Sequence, residues 1–370
     1  MSWPLVRPLP YPAIDGLRFY AAFVVFLVHL VGTIATEILR IPEASFNPGS
    51  EDWKVRGLYL LADGNHGVDV FFLISGFLMG RVVLTSPRFS YVNFITKRFI
   101  RIYPAFIVSL ICSVLYLCNV IGWRFDSQSV LKNMIFLNAI KDYDVVRYNH
   151  VTWSLGYEFA FYFVLPMILL FGRFLKPAIA ASLLFGVAAV SLEEYIRALA
   201  LFAGTWIAAF SDSQLRAVAR RIPLSVALIV YATPLTLKGG TTLFPSFASF
   251  FLFFLPAAVT LFIKLVFDEH WLSRILIASP TRLLGTVSYS FYLFHTLVIT
   301  AVLHSALVPL GFWGHPLLIP LLVVGSFFGS LLVATASYVL LEQFYFAVFR
   351  SRVGVGSTAV STPPAPAVGL

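Results

Sequence analysis

The stretch that decides the fold runs from Ile14 to His29, IDGLRFYAAFVVFLVH, and it opens the first apolar run of membrane length. A spanning helix needs about 20 mainly apolar residues, each adding about 1.5 Å of rise. This run carries a cation at Arg18 and an imidazole at His29. Helical rise puts them roughly 16 Å apart, about half of the ~30 Å hydrocarbon layer. Arg18 is therefore expected near one face and His29 near mid-bilayer. Ionisable groups inside a spanning helix are costly and mostly line a polar cavity or substrate path. A snorkelling arginine and a histidine satisfied by a neighbouring helix are the alternative at this stage.

The rest of the chain fits that opening. Of its 370 residues 59% are hydrophobic and only 12% are charged, more apolar surface than a soluble domain can hide. The fold class is all-α, because helices alone satisfy their own backbone in lipid without closing a barrel. Apolar runs near residues 17–35, 67–85, 102–121, 152–171, 177–191, 196–211, 222–237, 243–266, 285–305 and 317–341 give a polytopic protein of about ten transmembrane helices. With the N-terminus in the cytoplasm, the inner segments hold the majority of the 26 Lys and Arg residues. That bias puts both termini on the cytoplasmic side. It also accounts for the net charge of +9 without nucleic acid, which is not expected as a partner. The only cysteines, Cys112 and Cys118, have no companions at metal-ligand spacing, so no metal is expected.

Three segments complete the expected layout: an extended N-terminal segment at 1–13 without signal-peptide features, a membrane domain at 14–345, and a disordered Gly, Ser and Pro-rich tail at 346–370. Of two long outer connections, 36–66 and 122–151, the second contains VLKNMIFLNAI, too short to span and expected to cap the outer mouth. The inner segment 86–104 reads as an amphipathic helix on the leaflet, with Pro104 starting the next helix.

Several polar residues fall where lipid disfavours them. Glu158 and His29 each lie about six residues inside the outer ends of antiparallel spans, at a common depth of ~9 Å. A carboxylate–imidazolium dyad and a structural Glu158 bonded to Tyr, Ser or Trp both remain open. His295 reaches a similar level from the inner side. His66 and Asp69 share a helix face at the outer end of the second span, where Ser75 and Gly76 permit close helix packing. Arg18, Arg81, Arg98 and Arg101 gather on the inner side, suited either to lipid headgroups or to a ligand with several phosphates.

These residues stand in motifs that resemble the acyltransferase-3 family of integral membrane O-acyltransferases, over about residues 11–345. The matches run in order: Arg18 and His29 with ten residues between them, HGVDVFFLISGFL from His66, KRFIRIYP from Lys97, WSLGYEFAFY from Trp153, and SYSFYLFH ending at His295. The resemblance implies transfer of an acyl group, acetyl foremost, from acyl-coenzyme A to a carbohydrate hydroxyl, such as a cell-surface, exopolysaccharide or lipid-linked glycan unit, in a bacterial inner membrane. It puts the catalytic His on His29 with Arg18 as its basic partner, and further catalytic roles on Glu158 and Asp69; the inner cluster of Arg18, Arg81, Arg98 and Arg101 is then where the donor's phosphates are expected. His66, Ser75 and His295 become possible cavity-lining residues. Where relatives follow a Glu with Pro, this chain has Glu342 and Gln343. No hydrolase-like domain follows the tenth span, so the membrane domain is expected to act alone.

A pantetheine arm of order 15 to 20 Å matches the Arg18–His29 span, with His29 as general base and Glu158 orienting it. An acyl-enzyme intermediate is equally compatible. Competing readings are a small secreted metabolite such as a macrolide as acceptor, and a proton-coupled secondary transporter, which predicts paired interrupted helices and no dependence on acyl-coenzyme A.

Overall fold

A computed structural model describes residues 10–42, 45–47, 49–86, 89–140, 144–169, 193–238, 244 and 246–343. The expected fifth span, the first nine residues and the tail lie outside the described residues. All regular structure among the described residues is helical. Six stretches are long and apolar enough to cross a membrane: Ala13–Ile38, Trp53–Thr85, Tyr91–Ile121, Phe247–Phe267, Ser288–Leu307 and Leu318–Gln343. A seventh, Asp212–Arg221 with Leu224–Leu237, qualifies only as a pair bent by 85°. The chain is an integral membrane protein.

The helices that matter for the site are α1 (Ala13–Thr33), α2 (His66–Thr85), α3 (Tyr91–Tyr116), α4 (Trp153–Leu169), α5 (Leu199–Ala208) and α6 (Ser288–Ala301). Of these, α1, α3 and α6 continue into π-helical turns at Ile34–Ile38, Leu117–Ile121 and Val302–Leu307.

Tight packing of α2 on α5 follows from glycine. A Cβ at Gly76 would stand 1.9 Å from the Leu201 carbonyl oxygen, and one at Gly204 2.1 Å from that of Leu73. In lipid no water-driven force joins helices, so backbones must approach closely enough for dispersion to hold them. Gly76 thus does what its sequence position suggested.

Two local expectations are corrected. Pro104 does not start a helix. It lies inside α3, which runs unbroken from Tyr91, so residues 91–104 are the first turns of a long span rather than a separate surface helix. A proline inside a helix costs about 3 kcal/mol. Burial of Phe94, Ile102, Ala105 and Phe106 on both sides offsets that cost and turns Arg98 and Arg101 inward.

The second correction sets the site. The end of the second outer connection turns inward: Tyr148, Asn149, Val151 and Thr152 are buried, with only His150 between them exposed. The Asn149 side-chain amide donates to the Leu293 carbonyl at 2.9 Å, in the middle of α6, and the Asn138 amide donates to Thr152 Oγ1 at 2.8 Å. Such bonds let polar backbone dip into the protein without losing its partners. Consequently α4 begins deep, at the level of α6's centre, and its residues lie closer to the α1 N-terminus than counting from an outer end indicates.

Candidate functional site

Two polar cavities follow one another along the same helices. The first, with a cavity volume of about 90 Å³, is lined by Arg18, Arg98, Arg101, Ser75, Glu158 and Tyr162, together with Ser154, Tyr289 and Tyr292. Three guanidinium groups face one carboxylate. Glu158 Oε1 accepts short hydrogen bonds from Ser75 Oγ and Tyr162 Oη. Arg98 packs over the Phe94 ring at 5.7 Å, and its buried Nε has no hydrogen-bond partner among the described residues. Tyr289 Oη donates to the Ile102 carbonyl at 2.8 Å and fixes α6 against α3.

The second cavity, about 380 Å³, is lined by His29, Ser113, Trp123, Tyr148, His150 and Thr300, together with Glu37 and His304. Glu37 and His304 bridge the π-helical ends of α1 and α6 at 2.8 Å. Between the cavities Tyr292 Oη donates to the Val151 carbonyl at 2.9 Å and meets Ser154 Oγ at 2.9 Å, with Phe71 packed edge-on against its ring at 5.5 Å. The Arg-lined cavity can hold a polyanion. The His-lined cavity offers a proton acceptor beside hydroxyl-binding groups.

The structure unites some of the expected residues and separates others. Arg18, Arg98, Arg101, Ser75 and Glu158 share the first cavity. Arg81 does not join them: it pairs with Asp212 at 2.7 Å and lies over the Phe77 ring at 5.2 Å. His29 and Glu158 line different cavities and form no dyad, because the dipping loop lowers α4 and carries Glu158 to the arginines. Asp69, 2% exposed, pairs with Arg197 at 2.9 Å and lines neither cavity. His66 lines neither of these cavities; its Nε2 meets Tyr20 Oη at 3.1 Å and its Nδ1 the Asp63 carbonyl at 3.0 Å. His295 stands behind His29, ring centres 5.2 Å apart, rather than at the cavity wall. Glu342, whose role the missing proline put in doubt, is buried and accepts from Ser290 Oγ at 2.8 Å.

Other residues escaped sequence reasoning. Tyr162 follows Glu158 by one helical turn, and that spacing could have flagged it. Arg197, stacked on Phe247 at 4.4 Å while bonded to Asp69, lies beside the undescribed stretch and gave no local signal. His150 sits in a connection that looked superficial.

Comparison with known proteins shows the family. A family profile described as an acyltransferase domain matches residues 11–338. The chain is 25% identical over 167 residues to the acyltransferase MdmB of Streptomyces mycarofaciens, covering 44% of this chain and 40% of that one. To the peptidoglycan O-acetyltransferase OatA of Listeria monocytogenes it is 25% identical over 335 residues, 78% of this chain and 49% of that one. The chain thus spans two fifths to one half of the length of these relatives. No solved structure matches it. With the profile covering nearly the whole membrane domain, the chain belongs to the acyltransferase-3 family.

Proposed function

We propose that this chain is a membrane-embedded O-acyltransferase that moves an acyl group, acetyl foremost, from acyl-coenzyme A at the Arg-lined cavity to a hydroxyl held in the His-lined cavity. One observation carries the reading. Four segments each line the Arg cavity with one stretch and the His cavity with another: Arg18 then His29 on α1, Arg101 then Ser113 on α3, Glu158 after His150 around the start of α4, and Tyr292 then Thr300 on α6. Such an arrangement suits a reaction whose two substrates meet end to end.

The residues fit the donor. Arg18, Arg98 and Arg101 present planar forks to phosphates, with a buried Nε on Arg98 awaiting an acceptor. The acceptor's oxygen attacks the thioester carbonyl, a C–O bond forms, the C–S bond breaks, and the thiolate leaves. His29 takes the hydroxyl proton during attack and returns it to the departing sulfur. The name of the OatA relative supports a carbohydrate acceptor, such as a cell-surface, exopolysaccharide or lipid-linked glycan unit.

The same reading includes ten spans, the division at residues 13 and 345, a bacterial inner membrane, and both termini on the cytoplasmic side, the last supported by the placement of Lys and Arg. Coenzyme A cannot cross hydrocarbon unaided, so the donor enters from the cytoplasm. In sealed vesicles of known orientation, labelled acetyl-coenzyme A transfers label only when supplied at the cytoplasmic face. Equal labelling from either face refutes the reading. Mass spectrometry of surface glycans from a deletion strain and its parent identifies the acceptor by the esters that disappear.

A further inference from the structure

His295 is fully enclosed, with 0% of its surface exposed. Its Nδ1 lies 3.2 Å from the Phe291 carbonyl oxygen of the preceding turn. A carbonyl only accepts, so Nδ1 carries the hydrogen and Nε2 is left as a bare lone pair. That Nε2 has no hydrogen-bond partner among the described residues. A buried acceptor left unmade costs about 1–3 kcal/mol, so its presence calls for a donor.

The surroundings narrow the choice. Phe26 and Phe291, with ring centres 6.1 and 6.2 Å from that of His295, have nothing to donate. The Tyr292 hydroxyl is committed to the Val151 carbonyl. Across from it stands His29, at 5.2 Å between ring centres and a tilt of 48°. Ring nitrogens lie roughly 1.1 Å from the centre, so rings at this spacing bring facing nitrogens to about 3 Å, hydrogen-bond range. The two rings are not hydrogen-bonded as they stand, so the His29 ring has to turn to make the contact, and such contacts commonly tighten when substrate binds.

We propose that His295 is the positioning residue of the His29 base: its Nε2 accepts the N–H of the His29 imidazole and so turns the other His29 nitrogen, with its lone pair, toward the His-lined cavity. The chain of fixed protons runs from the Phe291 carbonyl through His295 to His29. It does for His29 what the sequence reading had assigned to Glu158, with a neutral acceptor in place of a carboxylate. The contact also stabilises the imidazolium formed when His29 takes the hydroxyl proton, since that N–H remains bonded throughout. What the oriented base does rests on the acyltransferase reading; the orientation itself does not.

The test uses the full chain in detergent micelles with 15N-labelled histidine, assigned by single His29 and His295 substitutions. In the parent, His295 is protonated on Nδ1 and His29 holds a single neutral tautomer. In His295→Leu the His29 signal splits between both tautomers. In His295→Gln, whose amide oxygen reaches the place of Nε2, the single tautomer returns. A second readout is release of coenzyme A from acetyl-coenzyme A, with water as the probe acceptor. His295→Leu lowers kcat about 100-fold, His295→Gln stays within about threefold of the parent, and the acetyl-coenzyme A KM stays the same in both. A single His29 tautomer unaffected by His295→Leu, or equal loss of kcat in the two variants, overturns the proposal. Should the Leu variant fail to fold, the parent spectrum still decides, since a mixed His29 tautomer there is equally fatal. A parent that releases no coenzyme A while its tautomers follow the expected pattern sinks the acyltransferase reading and leaves the positioning contact standing.

Discussion

Arg81 and Arg98 looked alike in the sequence, and the structure predicts opposite consequences for replacing them. Arg98 lines the Arg cavity with a buried Nε that no described residue satisfies. A charge-assisted hydrogen bond to a phosphate contributes about 1.5–3 kcal/mol, and each 1.4 kcal/mol is about tenfold in affinity. Arg98→Ala is therefore expected to raise the acetyl-coenzyme A KM by about 10- to 150-fold. Stability of the substrate-free protein should hold within about 1 kcal/mol or rise, since a half-buried cation with no salt bridge among the described residues is lost. Arg81 instead bonds Asp212, and the two side chains are 16% and 44% exposed. A pair that open to solvent contributes only about 0–1 kcal/mol, and its stacking on Phe77 adds about 0.5–1 kcal/mol. Arg81→Ala should lower thermal stability in detergent modestly and leave the donor KM within about twofold. Initial rates over an acetyl-coenzyme A titration, with melting curves on the same preparations, decide the matter. If both variants raise KM alike, the cavity assignment is wrong and the four arginines act as one inner-face patch.

Three further outcomes follow from the same geometry. His29→Ala is expected to lower kcat by about 10²- to 10⁴-fold with little change in the melting profile, because His29 faces a cavity rather than packed core; near-parental turnover removes it as the base. Glu158→Gln keeps an acceptor for Ser75 and Tyr162 but deletes the charge among the arginines, so it should change the donor KM and leave the kinetic pKa of the base where it was. A shift of about one unit or more in that pKa would restore the His29–Glu158 dyad. Gly76→Ala forces a methyl onto the Leu201 carbonyl and should cost about 1–3 kcal/mol or prevent folding, read as loss of monodisperse protein on size exclusion; parental stability would show that the α2–α5 crossing is looser than described here.

What the sequence made legible was whatever is local. Hydropathy marks the spans, and an arginine or histidine inside an apolar run announces itself within one helix. Arg18 and His29 were singled out that way, whereas Arg98 and Arg101 were singled out as part of the basic inner segment. What failed depended on partners far along the chain. Asp212, 131 residues from Arg81, removes that arginine from the cluster, and Arg197, 128 residues from Asp69, holds that carboxylate away from both cavities. Glu158 was misplaced in depth for a single reason. Its distance from the outer face was counted along the span, whereas Asn149 and Asn138 draw the preceding loop inward by bonds that no hydropathy profile contains.

The displacement of Glu158 has an electrostatic logic. A base that becomes an imidazolium during catalysis is penalised by nearby cations, and a site for a polyanion requires such cations. At an effective dielectric of about 20, a guanidinium about 5 Å from an imidazolium costs it roughly 3 kcal/mol, and one about 16 Å away roughly 1 kcal/mol. The Arg18–His29 spacing along α1 thus removes most of the conflict for each arginine, but three together still present a sizeable positive field at His29. A carboxylate placed at their centre cancels part of that field at its source, and there it is held by Ser75 and Tyr162 rather than folded onto one arginine. Beside His29 the same carboxylate would stabilise the imidazolium directly while leaving the arginines uncompensated in an empty site. The chain instead sets His295 behind His29, and in the proposed contact it would orient the ring without adding charge to it. On the proposed mechanism Glu158 would act on the base from a distance by tempering the donor site, and the two cavities could then be adjusted separately although the same helices build both.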